Sequence, residues 1–178
     1  MDYWRLFGLF AGDGWFQSGG ISIGTKHAKR ARTIANAIRN KLHLRPITKK
    51  RRFPDGHELY LVSAYSADLE RLWRRLLKVK RQKSKTFSFP SGLTAREERS
   101  FVAGLFDAEA YQYDWRGKPR IAFEIFNQKA SSKVLKRLKA DGVPACMSRI
   151  KAGGNRIDIT GHRAVSQFSC LYDWPCRE

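Results

Sequence analysis

Apolar and polar residues follow two rhythms along this chain, one of about 3.6 residues and one of two, and the switches between them mark its elements. Residues 3–13 are almost uniformly apolar, as expected of a short helix buried on all sides, and Gly14 is expected to stop it. Residues 15–26 hold a Ser18-Gly19-Gly20 turn between WFQ and ISIGTK, where Ile21 and Ile23 alternate with Ser22, Gly24 and Lys26, so a hairpin with one apolar face is predicted. From 28 to 42 the apolar positions Ala31, Ile34, Ala35, Ile38 and Leu42 return at helical spacing, with Lys29, Arg30, Arg32 and Arg39 outside. Strands over 46–53 and 58–64 are joined at Pro54-Asp55-Gly56, and Ser66 caps a helix from 67 to about 78 whose inner face carries Leu69, Leu72, Trp73, Leu76 and Leu77.

The same order then recurs. After a segment without apolar period, Thr94 and Glu97 form a capping-box pattern that opens a helix ending at Glu109. Strands over 111–116 and 120–127 turn at Gly117-Lys118-Pro119. Ser131 or Ser132 caps a helix to about 139, strands over 145–151 and 156–160 meet at Gly153-Gly154, and a helix closes the chain from about 162 to 172. The expectation is an α+β protein of two pseudo-symmetric α-β-β-α-β-β-α halves, residues 1–79 and 94–178, with a basic linker over 80–93.

The duplication is sharpest in the opening helix. RLFGLFAGDGWF from Arg5 aligns with FVAGLFDAEAYQ from Phe101, setting Gly8 on Gly104, Gly12 on Ala108 and Asp13 on Glu109. Small residues four apart share one helical face, so the two helices can pack closely side by side at the interface of the halves. Asp13 and Glu109 would then meet at one end of the contact. Two such sheets about a pseudo-twofold axis through the helix pair form a saddle.

Composition adds the partner. Lys plus Arg number 35 against 16 Asp plus Glu, for a net charge of +19 in 178 residues and a pI near 10.4. Such a field draws polyanions, nucleic acid foremost. No apolar run reaches the ~20 residues of a bilayer span and the first residues carry no signal-peptide pattern, so an intracellular protein, cytoplasmic or nucleoid-associated, is expected, with no membrane partner. Cys146, Cys170 and Cys176 lack zinc-finger spacing and read as core or surface thiols, with a Cys170 to Cys176 disulfide left open; the four histidines have no ligand spacing.

The polar strand faces offer Gln17, Ser22 and Lys26 in the first half and Tyr113, Arg120 and Gln128 in the second as contacts to DNA. A strand of about nine residues spans roughly 30 Å, near one turn of B-DNA, so two halves suit a long, asymmetric duplex site. Two acids held together in a basic surface call for a cation between them, and Mg²⁺ takes a few carboxylates along with water and phosphate oxygens. Phosphodiester hydrolysis on both strands is the matching chemistry. Trp4 and Trp73 fall at core spacing, whereas Trp15 and Trp115, in or beside hairpins, suit sheet-face packing or stacking on a base.

LFGLFAGDG at residues 6–14 and VAGLFDAEA at residues 102–110 resemble the paired motifs of single-chain LAGLIDADG homing endonucleases, and a small, Arg-rich chain is most similar to the archaeal intron-encoded members. The resemblance implies cleavage across the minor groove of double-stranded DNA by a monomer. It makes Asp13 and Glu109 catalytic metal ligands, with Gly12 and Ala108 as further metal contacts, Mg²⁺ as the cofactor and Ca²⁺ as a non-catalytic substitute. It also implies a Gln or Lys near the metals at the end of each half's second strand. Thr25 or Lys26 and Gln128 or Lys129 match that position, with Lys26 and Gln128 taken as catalytic, and Lys80 and Lys83 as a further basic source touching DNA. Two residues depart from the pattern: Ala110 ends the second motif where the family has Gly, a position expected to need positive φ or close approach to DNA, and Gln112 stands where some members carry a basic residue. An intron RNA maturase, or a catalytically decayed DNA-binding protein, is the alternative reading of the same fold.

Overall fold

Short polar side chains, Asp2, Ser66, Thr94 and Asn127, cap four of the six described helices, and the hairpin turns are made where the chain can enter the left-handed region. In the computed structural model, which describes residues 1–79 and 87–175, Tyr3–Asp13 forms helix α1, capped by Asp2, whose carboxylate accepts from the Arg5 backbone N–H at 2.9 Å. Strands β1 (Gly14–Gln17) and β2 (Gly20–Thr25), helix α2 (Ala28–Leu42), strands β3 (Ile47–Arg52) and β4 (Glu58–Tyr65) and helix α3 (Ala67–Leu77) complete the first half. The second half runs α4 (Ala95–Glu109), β5 (Ala110–Trp115), β6 (Lys118–Ile125), α5 (Gln128–Ala140), β7 (Cys146–Arg149), β8 (Asn155–Thr160) and α6 (His162–Tyr172). Each half builds a four-stranded antiparallel sheet, ordered β1-β2-β4-β3 and β5-β6-β8-β7, and the two sheets form a saddle about the paired helices α1 and α4. The predicted α+β architecture is the observed one.

The helix pair is glycine-dependent. A Cβ on Gly8 would lie 2.0 Å from the Phe101 carbonyl oxygen, and one on Gly104 would lie 2.0 Å from the Arg5 carbonyl oxygen. The backbones therefore touch where the aligned motifs place their small residues. Around this contact the core is aromatic: Phe7 and Phe10 pack on the fully buried Trp73, at 4.8 and 4.7 Å between ring centroids, and Phe106 packs on Phe123 and Phe168 at 4.7 and 4.6 Å. Both helical tryptophans pack as expected. The Trp73 indole N–H donates to Tyr3 Oη and that of Trp4 to Glu97 Oε1, each at 2.9 Å.

Several local expectations are corrected. Gly14 does end α1 as expected, but in extended backbone: its φ of −86° and ψ of 167° already belong to β1, and a side chain is excluded there by Phe10, whose ring carbon would sit 2.2 Å from a Cβ. Ala110 likewise has φ −85° and ψ 147°, so this position needs no positive φ and alanine carries no backbone strain. Helix α5 is capped by Asn127, whose Oδ1 accepts from Ala130 N–H at 2.9 Å, and not by Ser131 or Ser132. Ser131 lies inside the first turn, buried, where its hydroxyl accepts from Asn155 Nδ2 at 2.8 Å and so ties α5 to β8. The β5–β6 turn is the two-residue Arg116-Gly117, with φ of 56° and 72°, which moves Lys118 and Pro119 into the strand. Of the connecting segment, Phe87 and Phe89 are buried, Phe89 against Phe101 at 5.0 Å, while Lys80 and Lys83 lie outside the described residues, as does Cys176.

At the far end of α5 a carboxylate organises the second half. The Asp141 side chain is 2% exposed and accepts from Arg99 Nη2 at 2.7 Å, Arg137 Nη2 at 2.8 Å and Tyr172 Oη at 2.7 Å. Burial works to raise its pKa, but the Arg99, Tyr172 and Arg137 hydrogen bonds outweigh it and hold the carboxyl below its usual value. A depressed carboxylate gives stability that is full above its unfolded pKa of about 3.9 and is lost as pH falls through the folded value. Asp141→Ala is expected to cost about 3 kcal/mol at pH 7, read as a Tm lower by on the order of 10 °C, with the gap to the parent closing as pH drops below about 4.

Candidate functional site

Helices α1 and α4 end together, and their acids fall on opposite sides of the same contact. A Cβ on Gly12 would meet Ala108 Cβ at 2.3 Å and Glu109 Cγ at 3.3 Å, so the Glu109 side chain lies against the residue before Asp13. Reciprocally, Asp13 shares a cavity of about 420 Å³ with Ala108, the residue before Glu109. Asp13 is half-buried and Glu109 is exposed. Trp15, Thr25, Lys26 and Arg30 line the cavity on the Asp13 side, which makes it cationic around a single acid. Arg30, from the first turn of α2, also donates to the Asp107 carbonyl oxygen of α4 and so pins the first half to the second beside the acids.

A second tie crosses the interface nearby. Arg5 on α1 holds Asp107 on α4 with both arms of its fork, Nε to Oδ2 at 2.6 Å and Nη2 to Oδ1 at 3.0 Å, and reaches Asp173 Oδ2 at 3.1 Å. Burial of Arg5 is outweighed by the Asp107 and Asp173 carboxylates, which push its pKa above the ordinary guanidinium value.

Strand pairing fixes what the open faces present. On the first sheet Trp15 lies opposite Ser22, Ser22 opposite Ser63 and Ser63 opposite Ile47, while Leu61 pairs with Gly24 and Lys49. Gln17, Lys49, Arg51 and Tyr65 share this face, with Lys49, Arg51 and Tyr65 exposed. On the second sheet Tyr113 lies opposite Arg120, and Arg120 opposite Thr160; Tyr111, Trp115, Lys118, Glu124 and Arg156 share that face by strand parity.

The sequence-predicted residues fall unevenly on this frame. Asp13, Lys26 and Ala108 line one cavity, and Gly12 and Glu109 stand against each other at its edge. Gln17 is on the open face, its amide donating to Ile21 O at 3.3 Å. Ser22 is on that face but only 1% exposed, its hydroxyl 2.6 Å from that of Ser63, so its reach toward a ligand is blocked by its own sheet. Tyr113 and Arg120 are open-face neighbours. Gln128 is separated from Lys26 in pseudo-symmetry. Gly14 pairs with Ile23 and Ala110 with Phe123, so Phe126, 43% exposed, is the counterpart of Lys26, and Gln128 is the exposed first residue of α5. Tyr111 could have been found from Tyr113 by strand parity alone. Arg30, Arg156, Lys49 and Arg51 could not, because each depends on a pairing or packing between segments distant in sequence.

Among the described residues no three His, Cys, Asp or Glu side chains are grouped to enclose a metal. No helix among them is long and apolar enough to cross a membrane.

No protein-family model matches the chain, and no curated protein sequence matches it. Solved structures do. Full-length DUF199/WhiA from Thermatoga maritima superposes with a TM-score of 0.68 at 13% identity over 98% of this chain and 55% of that one, so the chain spans about half the length of that protein. The homing endonuclease I-WcaI bound to its DNA recognition sequence gives 0.65 at 13% identity, covering 97% of this chain and 80% of that one. I-DmoI in complex with DNA and Mn gives 0.63 at 16% identity, covering 98% and 97%. The chain therefore has the LAGLIDADG fold that these proteins share, across nearly its whole described length.

Proposed function

We propose that this protein is a LAGLIDADG-type endonuclease that hydrolyses both strands of a long, asymmetric duplex DNA site, acting as a monomer inside the cell. The observation that carries the reading is the reciprocal contact at the ends of α1 and α4, with Glu109 against Gly12 and Asp13 beside Ala108, between two open sheet faces bearing Lys49, Arg51, Arg120 and Arg156. DNA-bound structural neighbours support the partner, and those carrying Mn, Mg or Ca support a divalent ion.

The donor set fits such an ion. Among the described residues no three His, Cys, Asp or Glu side chains group around the two acids, and two carboxylates suit Mg²⁺, which is commonly held by one or two carboxylates and completed by water and phosphate oxygens. Asp13 and Glu109 would hold it with the backbone of Gly12 and Ala108, and it would supply a water activated at neutral pH and charge stabilisation for the leaving oxygen. The chain's own part is to fix the two acids through helix contact, to place the Lys26 and Arg30 cations beside Asp13, and to track phosphates with its basic strands. Ca²⁺ would occupy the same oxygens without supporting turnover.

A second reading, a DNA-binding protein of this fold that does not cleave, is favoured by one observation: the second half sets the apolar Phe126 where the first half has Lys26. Incubation with a randomised duplex library and Mg²⁺ separates the two. New paired ends enriched in one sequence are expected; stable binding to an enriched duplex with no ends at any Mg²⁺ concentration would leave only the second reading. Selective retention of structured intron RNA over duplex DNA would point instead to a maturase.

A further inference from the structure

The repeat makes each half a template for the other, and the two flanks of the helix pair differ. Helices α3 and α6 end alike. Lys78 and Asp173 are left-handed caps with φ of 50° and 48°, and the next N–H groups, of Val79 and Trp174, bond back to Arg74 O and Ser169 O, each at 3.1 Å. Past α3, the connecting segment buries Phe87, Phe89 and Pro90. Ser88 N–H donates to Leu77 O at 2.6 Å, the Phe89 ring stands edge-on to Phe101 at 5.0 Å, and Lys133 Nζ lies 5.6 Å from the same ring. A non-helical segment with two phenylalanines thus covers the flank of α4 and α5.

The equivalent flank of α1 and α2 is a groove. The motif alignment sets Arg5 on Phe101, and the register that pairs Gly14 with Ile23 and Ala110 with Phe123 sets Thr33 on Lys133. Arg5 and Thr33 line a cavity of about 650 Å³ together with Trp174 and Pro175, the residues that follow α6. The groove climbs the side of the helix pair: Arg5 precedes Asp13 by eight residues, about 12 Å of helix, and among the described lining residues Tyr111 is the one on an open sheet face.

Its walls combine apolar surface with positive charge. Ala110, Trp174 and Pro175 are apolar, whereas Lys29 and Arg30 come from the first turn of α2, which holds no acid. The lining acids Asp107 and Asp173 are already held by Arg5. A phosphate chain would use the cations and leave Trp174 and Pro175 against water. A second copy of this chain, at +19, would bring more positive charge to Lys29 and Arg30. A segment with aromatic and acidic side chains satisfies both walls.

We propose that this groove docks a non-helical segment of a partner protein, with two aromatic residues spaced as Phe87 and Phe89 are and with carboxylates that face Lys29 and Arg30. Its rings take the places beside Arg5 and Thr33 that the phenylalanines take beside Phe101 and Lys133, one of them against the Arg5 guanidinium. Docking uses neither Asp13 nor Glu109, so it stands or falls independently of the endonuclease reading.

The test uses the full chain and the labelled pentapeptide Asp-Phe-Glu-Phe-Pro, read by fluorescence anisotropy, with Asp-Ala-Glu-Ala-Pro as control. The first peptide is expected to bind at least about tenfold more tightly than the second. Thr33→Trp, which fills the groove from an exposed position, and Lys29→Glu are each expected to weaken it about tenfold, whereas Lys136→Glu, an equal charge reversal on exposed α5 surface, leaves it within about threefold. Thr33→Trp also leaves duplex DNA affinity within about threefold. Equal binding of the two peptides would reduce the effect to general attraction by a basic protein and overturn the proposal, as would no binding at millimolar peptide or binding that neither groove variant changes. Equal loss of duplex affinity in Thr33→Trp would assign the groove to DNA, and a concentration-dependent dimer abolished by Thr33→Trp would assign it to a second copy; either result also overturns it.

Discussion

Asp13→Asn and Glu109→Gln are each expected to lower double-strand cleavage on the order of 10³-fold, about 4 kcal/mol of lost transition-state stabilisation, while duplex affinity stays equal or rises. Each change keeps the shape of its side chain and removes one negative charge. In the proposed complex that charge faces the scissile phosphates and gains only by sharing a divalent ion with them, so removing it costs catalysis and relieves repulsion in the ground state. The helices end as before, since the Gly12 contact is with Ala108 Cβ and the Glu109 Cγ, both of which Glu109→Gln retains. Cleavage of a selected target in Mg²⁺ and binding of the same duplex in Ca²⁺ measure the two quantities separately. Parallel loss of both would show the acids to be structural.

Gly104→Ala is expected to be the most damaging single methyl group that can be added to the protein. Its Cβ would stand 2.0 Å from the Arg5 carbonyl oxygen and 2.6 Å from the Leu9 backbone nitrogen, and neither can rotate away. The helices must separate by an ångström or more, which opens the aromatic contacts between Phe7 and Phe101 and moves Asp13 relative to Glu109. A loss of at least about 4 kcal/mol is expected, seen in chemical denaturation as a lower midpoint or as failure to fold at 37 °C. Gly56→Ala is the contrast. There φ is +86° and the added methyl meets nothing within 4 Å, so the cost is about 1 kcal/mol of backbone strain.

The two motif helices and the alternation of their following hairpins were legible because local spacing determines them. Gly8 and Gly104 announce a close contact through their spacing alone, and Ser66, Thr94 and Gly153-Gly154 mark ends and turns through their own hydrogen bonding and φ. Two things were not legible. One is where a cap competes: Asn127, Ser131 and Ser132 all suit an N-cap, and the pairing of Ser131 with Asn155, set by β6–β8 register, decides between them. The other is the correspondence of the halves past the hairpins. The longer β5–β6 hairpin shifts the numbering, so Gln128 aligns by residue type with Lys26 although strand register gives that place to Phe126. Lys26 beside Asp13 was reachable from sequence, whereas Arg30, which bridges to Asp107 O, required the helix to be docked.

The Arg5 fork on Asp107 has a consequence for how such a chain can exist. In the aligned motifs Arg5 corresponds to Phe101 and Asp107 to Ala11, so the ion pair runs in one direction only. A homodimer of first halves would set a largely buried guanidinium against alanine twice over, and a homodimer of second halves would set two carboxylates against phenylalanine. Breaking a buried pair costs about 3–5 kcal/mol each time. The helix pair is thereby made directional: the close-packing Gly8 and Gly104 faces are alike, but only the pairing of a first half with a second half satisfies both charges.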